Sequence, residues 1–379
     1  MNKIKMVDLE NQYATIKSEV DEAIQTVLRS TAFIQGPEVQ EFAQELATYT
    51  GVKFVIPCAN GTDALQIAMM ALEYKPGDEI LLPVHTYVAT AEVIALLGLT
   101  PVFIDVDWNT FNIDVTQLEK KISSRTVAIV PVHLYGQCAN MEIILQLAKK
   151  YNLHVIEDAA QSLSAEYIFS SGERKKSGTI GTIGTTSFFP SKNLGCFGDG
   201  GALFTNDEIL AERIQMIANH GQKEKYHHEV IGVNSRLDTL QAAVLKVKLK
   251  YLDDYSQRRM DVASAYDSAF GELENVEIPA RSVFSTHVFN QYTLKLKSDN
   301  RDDFKKYLAQ HDIPTMIYYP VPLHLQKAFR RNNTTNGSFP VTEKLSKVVI
   351  SLPIHTELSN EQIEFICHRV KLYFKNDGR

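Results

Sequence analysis

His154-Val155-Ile156-Glu157-Asp158-Ala159-Ala160-Gln161 is the stretch on which the fold turns. A short apolar run ends in two carboxylates and passes at once into small residues. Such a run, without polar alternation, suits a strand covered on both faces, as in a parallel sheet flanked by helices. Asp158 then sits at the carboxyl edge of that sheet, where ligands of open α/β sheets bind. Taken alone, the aspartate could equally be a surface turn or a helix N-cap.

Six further runs flank this one and share its character: Phe54–Ile56, Glu79–Leu82, Pro101–Ile104, Val127–Val132, Thr185–Phe188 and Ala202–Phe204. Helical patterns fall between them. Thr62–Leu72 places Leu65, Ala68, Met69 and Leu72 on one face, and Cys138–Tyr151 and Asp207–Asn219 read similarly. This alternation predicts an α/β fold with a mostly parallel central sheet. After about residue 250 the pattern changes. Tyr251–Arg259 reads as a polar helix, and alternating strands with two further helical stretches follow. The division expected is a large α/β domain over residues 1–254 and a smaller α+β domain over 255–379. Ser359 and Gln362 form a capping box ahead of a helix with Ile363, Ile366, Cys367, Val370 and Phe374 on one stripe. Ser170–Gly178 and Arg330–Ser338 read as polar loops. The second carries glycosylation sequons, which have no meaning without export.

Composition narrows the function classes. A length of 379 residues suggests two domains, and a net charge of −6 argues against a general nucleic-acid binder. No stretch approaches the ~18 uninterrupted apolar residues of a membrane span. The first residues lack the apolar core of a secretory signal. Cys58, Cys138, Cys196 and Cys367 lie far apart, as expected of reduced thiols. A cytoplasmic protein, free of membrane and nucleic acid, is the expectation.

Two further elements carry chemistry. In Thr185-Thr186-Ser187-Phe188-Phe189-Pro190-Ser191-Lys192, a lysine follows two aromatics and a proline, with Gly195, Gly198, Gly200 and Gly201 beyond it. Most lysines are solvated, but aromatic and glycine flanks favour a partly desolvated ammonium, which is a better nucleophile toward a carbonyl. Ala59-Asn60-Gly61-Thr62-Asp63-Ala64 lies between a strand and a helix. Its free N–H groups and the Thr62 hydroxyl suit a phosphate, although an ordinary N-cap would look the same. A phosphate cradle, a strand-end carboxylate and a desolvated lysine together are what a pyridoxal phosphate enzyme needs.

At this point the residues resemble a family. The chain resembles the sugar aminotransferases of the DegT/DnrJ/EryC1/StrS family, which are pyridoxal phosphate enzymes with the aspartate aminotransferase fold. The resemblance covers nearly the whole chain, from Val7-Asp8-Leu9 and Gly36-Pro37-Glu38-Val39 through Asn60-Gly61-Thr62-Asp63-Ala64-Leu65 and Glu157-Asp158-Ala159-Ala160-Gln161-Ser162. It continues through Ser187–Lys192, Gly198-Asp199-Gly200-Gly201 and Asn234-Ser235-Arg236-Leu237-Asp238 to Tyr319-Pro320-Val321-Pro322-Leu323 and Ser351-Leu352-Pro353. It implies that Lys192 is the Schiff-base lysine and proton shuttle, that Asp158 pairs with the pyridine nitrogen, and that Gln161 bonds the phenolic oxygen. It further implies that Tyr87 stacks on the ring and that Gly61, Thr62 and Ser187 hold the phosphate. Asn234 would reach the phosphate of a neighbouring subunit, which implies a homodimer with shared sites.

Arg236, Tyr318, Tyr319 and His228 are the candidate sugar contacts. The family often has His-Tyr-Pro where this chain has Tyr318-Tyr319-Pro320. Within the family the resemblance points to amination of C3 of UDP-2-acetamido-2-deoxy-3-oxo-glucuronate, with glutamate as donor, for surface polysaccharide (O-antigen). Cousins that aminate dTDP-3-oxo-6-deoxyhexoses or UDP-4-oxo-6-deoxy-N-acetylhexosamines share almost every cofactor residue. A non-catalytic regulator of the same fold would be marked by loss of Lys192 or Asp158, and both are present. His227 and His228 are adjacent, so on a regular element they point apart, and no metal site is expected. Arg174-Lys175-Lys176 reads as a basic loop tip, solvated or facing a nucleotide diphosphate. His133 is left open between packing and support of the site.

Overall fold

A computed structural model describes residues 3–297, 300–329 and 335–376. Its strands in chain order begin with β1 Phe54–Cys58, β2 Glu79–Pro83, β3 Thr100–Ile104, β4 Thr126–Ile129 and β5 His154–Asp158. Then come β6 Glu166–Ile168, β7 Arg174–Lys176, β8 Ile183–Ser187, β9 Gly201–Thr205, β10 Gln222–Glu224 and β11 His227–His228. The last three are β12 Val276–Glu277, β13 Tyr292–Leu296 and β14 Val349–Leu352.

All seven apolar runs are strands of one sheet, in the order β1-β9-β8-β5-β4-β2-β3. Only β9 runs against its neighbours; every other pairing in the sheet is parallel. β2 and β9 are buried along their whole length, which explains why they carry no polar alternation. Helices cover both faces. Gly61–Ala71 starts where the Asn60 side chain accepts from the Asp63 N–H at 2.8 Å. Met141–Tyr151 is capped by Asn140, and Glu208–Ala218 by Asp207.

Two helices that the sequence reading did not single out, Leu9–Ser30 and Pro37–Thr50, pack on Thr239–Leu249. Phe42 and Leu46 meet Leu245 and Leu249 in one core, and Ile16 and Val20 meet Val244 and Val247 in another. Helix Thr239–Leu249 thereby ties the N-terminal segment to the sheet.

A second, antiparallel sheet, β12-β13-β14, has its own core, with Tyr266, Tyr292, Phe304, Ile366, Val370 and Phe374 fully or nearly buried. Its closing helix, Asn360–Asn376, starts at the expected capping box: the Ser359 N–H donates to Gln362 Oε1 at 3.0 Å, and the Gln362 N–H to Ser359 Oγ at 3.2 Å. The polar helix expected at Tyr251–Arg259 is longer, Leu252–Phe270, and spans residues 254 and 255. Its last turns bury Val262, Tyr266 and Phe270 in the second core.

One expected loop is a hairpin instead. Within Ser170–Gly178, Arg174–Lys176 forms β7 and pairs with β6. Arg174 and Lys176 both bridge Glu166, at 3.1 and 3.2 Å, and Lys175 lies 3.4 Å from Glu173. The basic tip is therefore partnered within its own hairpin. The Arg330–Ser338 stretch falls partly outside the described residues.

Candidate active site

β5 and β8 are adjacent and parallel, with Asp158 beside Thr185 in register, so their carboxyl ends open on one side of the sheet. The start of helix Gly61–Ala71 faces the same edge. A cavity of about 700 Å³ lies there, closed from the second sheet's side by Asn290, Gln291, Tyr318 and Tyr319. Asp158, Lys192, Gly61, Thr62, Tyr87, Gln161, Ser187, Tyr318 and Tyr319 all line it. The three motifs read separately from the sequence thus share one cavity.

The helix start is pressed against β8. A Cβ on Gly61 would fall 2.7 Å from Ser187 Cβ, so only glycine lets the helix approach the serine. The first N–H groups of a helix have no intrahelical acceptor. The Asn60 side chain takes the Asp63 N–H, while Gly61 and Thr62, at the start of the helix, line the cavity together with Ser187. This cradle fits a phosphate group.

Lys192 is half-buried on a loop fastened at several points. The Phe188 N–H donates to Gly200 O at 2.7 Å, and the Cys196 N–H to Phe188 O at 2.8 Å, closing the loop on itself. A Cβ on Gly195 would lie 2.3 Å from Pro190 O, so the doubling-back requires glycine there. Helix Thr239–Leu249 contributes Lys248 Nζ to Gly195 O at 2.6 Å and Gln241 Oε1 to the Phe197 N–H at 2.8 Å. From the other side, Asn290 Nδ2 donates to Asn193 Oδ1 at 3.1 Å. Desolvation pushes the Lys192 ammonium down to about 8, and the Asp158 carboxylate pulls partly the other way.

Asp158 is buried at the strand end. Its Oδ2 accepts from Thr90 Oγ1 at 2.8 Å and its Oδ1 from the Ala160 N–H at 3.2 Å. Behind it, Glu157 and His133 are both fully buried. Glu157 accepts from His133 Nε2 at 2.8 Å, Gly178 N at 3.0 Å, and Ile180 and Gly181 N at 2.6 Å each. His133 Nδ1 accepts from the Ala139 N–H at 3.1 Å, so the ring proton sits on Nε2 and points at Glu157. The His133 N–H in turn donates to Asp158 O at 3.0 Å. His133 therefore supports the strand end that carries Asp158.

Gln161 has its amide orientation set from outside: the Tyr135 N–H donates to Oε1 at 2.7 Å, leaving Nε2 to face Tyr319 OH at 3.4 Å. The Tyr135 hydroxyl donates to Tyr318 O, and His85 Nε2 lies 3.3 Å from that hydroxyl. Burial holds His85 down at about 4, so the ring is neutral. Tyr87 is exposed, with its ring 6.3 Å from that of Tyr319.

The remaining candidates lie elsewhere. His228 is exposed on the β10-β11 hairpin, its Nδ1 2.8 Å from His220 O, and does not line the cavity of its own chain. Asn234 is exposed, in a β-bridge with Asn219, and it and Arg236 also lie off this cavity. Among the described residues Arg236 forms no ion pair, with Asp238 or any other acid. Thr90, Asp199, Asn290 and Gln291 line or support the site without having been read from the sequence. Asp199 stood in the quoted glycine motif and could have been found there.

Comparison with known proteins gives a consistent family. The model of the DegT/DnrJ/EryC1/StrS aminotransferase family matches residues 14–371. The UDP-2-acetamido-2-deoxy-3-oxo-D-glucuronate aminotransferase of Pseudomonas aeruginosa is 48% identical over 364 residues, covering 96% of this chain and 98% of its own. A protein of Geobacillus stearothermophilus named as a pleiotropic regulatory protein is 43% identical over 377 residues, 98% of this chain and 99% of its own. Among solved structures, Streptomyces venezuelae DesV in complex with a ketimine intermediate matches with a TM-score of 0.94 at 37% identity, over 99% of both chains.

Proposed function

The chain belongs to the DegT/DnrJ/EryC1/StrS aminotransferase family and is a pyridoxal-phosphate-dependent sugar aminotransferase, and on that premise we propose that it moves the amino group of glutamate to C3 of UDP-2-acetamido-2-deoxy-3-oxo-glucuronate. The observation that carries the chemistry is the meeting of Lys192, Asp158 and the helix start at Gly61 in one cavity. The substrate rests on the similarity to the Pseudomonas aeruginosa enzyme. A regulatory role without catalysis, as the Geobacillus stearothermophilus name would suggest, leaves the desolvated lysine beside a buried aspartate without a purpose.

When bound, the cofactor supplies an electrophilic carbonyl carbon and a ring that accepts electrons. The residues do the rest. Gly61, Thr62 and Ser187 receive the phosphate. Asp158 would place a negative charge against the ring nitrogen, and Gln161 Nε2 would donate toward the phenolic oxygen. Tyr87, which lines the cavity, would cover one face of the ring. Lys192 Nζ, lowered into the range where its neutral amine is well populated at neutral to mildly alkaline pH, holds the cofactor. Its neutral amine would move the proton between the donor's α-carbon and the cofactor, and would run the reverse transfer at the sugar carbon that receives the amine.

The cavity's charge bears on the partner. Among the described residues its lining carries Asp63, Asp158 and Asp199 but only one cation, Lys192. A uronate carboxylate needs a further cation with a planar fork, and Arg236 has no acidic partner of its own among the described residues. We assign it, with Asn234, to the site of a second copy, in a homodimer. His228, Tyr318 and Tyr319 complete the sugar contacts. Cytoplasmic surface-polysaccharide (O-antigen) synthesis is the setting this substrate implies.

A panel of purified UDP- and dTDP-ketosugars with glutamate, read by product mass, tests the reading. Amination of the 3-oxo-glucuronate at the highest kcat/KM supports it; preference for a 6-deoxy ketosugar moves the enzyme to a cousin's substrate.

A further inference from the structure

We propose that Thr90 is a positioning residue for Asp158, fixing the plane of its carboxylate through a hydroxyl that never meets substrate. The inference rests on the reading of Asp158 as the partner of the cofactor's ring nitrogen. Thr90 is fully buried in the first turn of helix Ala89–Leu96, and its Oγ1 lies 2.8 Å from Asp158 Oδ2. An ionised carboxylate only accepts, so the single proton of Thr90 is committed to it. Thr86 Oγ1 lies 3.3 Å from Thr90 Oγ1, which makes Thr86 the donor of that pair. The hydrogen-bond chain therefore runs one way, from the cavity wall at Thr86 through Thr90 to Asp158.

The other carboxylate oxygen, Oδ1, is held by the Ala160 N–H at the longer distance of 3.2 Å. Two oxygens tied to two different segments prevent the carboxylate from turning about its Cβ–Cγ bond. Without the Thr90 hydroxyl only the longer tether is left. Hydrogen bonds to an ionised group are stronger than neutral ones, and more so where water is excluded. Thr90 also stands three residues after Tyr87, which lines the cavity. One short segment thus sets both the expected ring-facing aromatic and the orientation of the carboxylate.

A side chain that merely filled space would be replaced without loss by one of the same shape. Thr90→Val keeps the shape and removes the donor, whereas Thr90→Ser keeps the donor. Should Thr90→Val fail to accumulate as folded protein, Thr90→Ala, which relieves crowding, takes its place. Three quantities are measured on the purified enzyme: cofactor affinity by equilibrium dialysis, kcat and KM for glutamate, and melting temperature.

The expected result for Thr90→Val is cofactor binding weaker by about tenfold and kcat lower by about tenfold, the scale of one lost charge-assisted bond, with KM for glutamate unchanged. Thr90→Ser restores both. Cofactor affinity and kcat equal to wild type in Thr90→Val, with or without a lower melting temperature, overturn the inference. Asp158→Asn is made alongside. Near-normal turnover in that variant overturns the role of Asp158 itself, whereas slow turnover there with a fully active Thr90→Val overturns only the role of Thr90.

Discussion

Glu157→Gln is a one-atom change whose cost follows from the structure. Each carboxylate oxygen of Glu157 accepts two hydrogen bonds: Oε1 from the Ile180 and Gly181 N–H groups, Oε2 from His133 Nε2 and the Gly178 N–H. Whichever way the amide of glutamine turns, its NH2 faces two donors. His133 cannot adapt by moving its proton, because its Nδ1 already accepts from the Ala139 N–H. The substitution loses two bonds to a charged acceptor, each worth about 1.5–3 kcal/mol, in a fully buried place. The sum is about 3–6 kcal/mol, a large share of the ~5–15 kcal/mol that holds a typical protein folded. The expected observation is a denaturant midpoint lowered in proportion, with an unchanged slope. Glu157→Gln less than about 1 kcal/mol below wild type would refute the four-donor account.

Other consequences are tested more briefly. With the Lys192 ammonium lowered to about 8, carbonyl labelling of the cofactor-free enzyme at that residue should rise with pH through a midpoint near 8 and level off above it; a midpoint near the usual value of about 10.4 would show an ordinary solvated lysine. Gly61→Ala, whose Cβ would lie 2.7 Å from Ser187 Cβ, should displace the helix start and weaken cofactor binding by about tenfold, the equivalent of a ~1–3 kcal/mol overpacking cost; an unchanged dissociation constant would remove the cradle from this position. Arg236→Ala should lose activity mainly on the uronate and little on a 6-deoxy ketosugar, and equal losses on both would end its carboxylate role. Mixed dimers of Lys192→Ala and Asn234→Ala/Arg236→Ala protomers should regain partial activity, and none despite proven subunit exchange would count against sharing between copies.

The central sheet was legible because strands covered on both faces must be apolar throughout, and each of the seven apolar runs is one. Their ends moved by up to three residues, as at Thr126–Ile129, where the apolar run continues past the continuous ladder to an isolated bridge between Val132 and Asp158. The closing helix was legible because Ser359 and Gln362 cap it locally. What escaped depends on partners distant in sequence. The β6-β7 hairpin is stitched by charges around Glu166 and has no apolar alternation to betray it. The opposed direction of β9 leaves no mark in composition. Thr90 reaches Asp158 across 68 positions, and His133 reaches Glu157 across 24, so neither pairing shows in a local pattern. Lys192, Asp158 and Gly61 stood in local motifs and were found. Asn290 and Gln291 complete the cavity from a segment without one.

Reduction of the loaded enzyme with borohydride, followed by peptide mapping, addresses the central claim most directly. The account predicts the pyridoxyl group on the peptide containing Lys192, among the described residues the only lysine lining the cavity that also holds Asp158 and the Gly61 helix start. A pyridoxyl group on a peptide carrying any other lysine, with Lys192 unmodified, would contradict it.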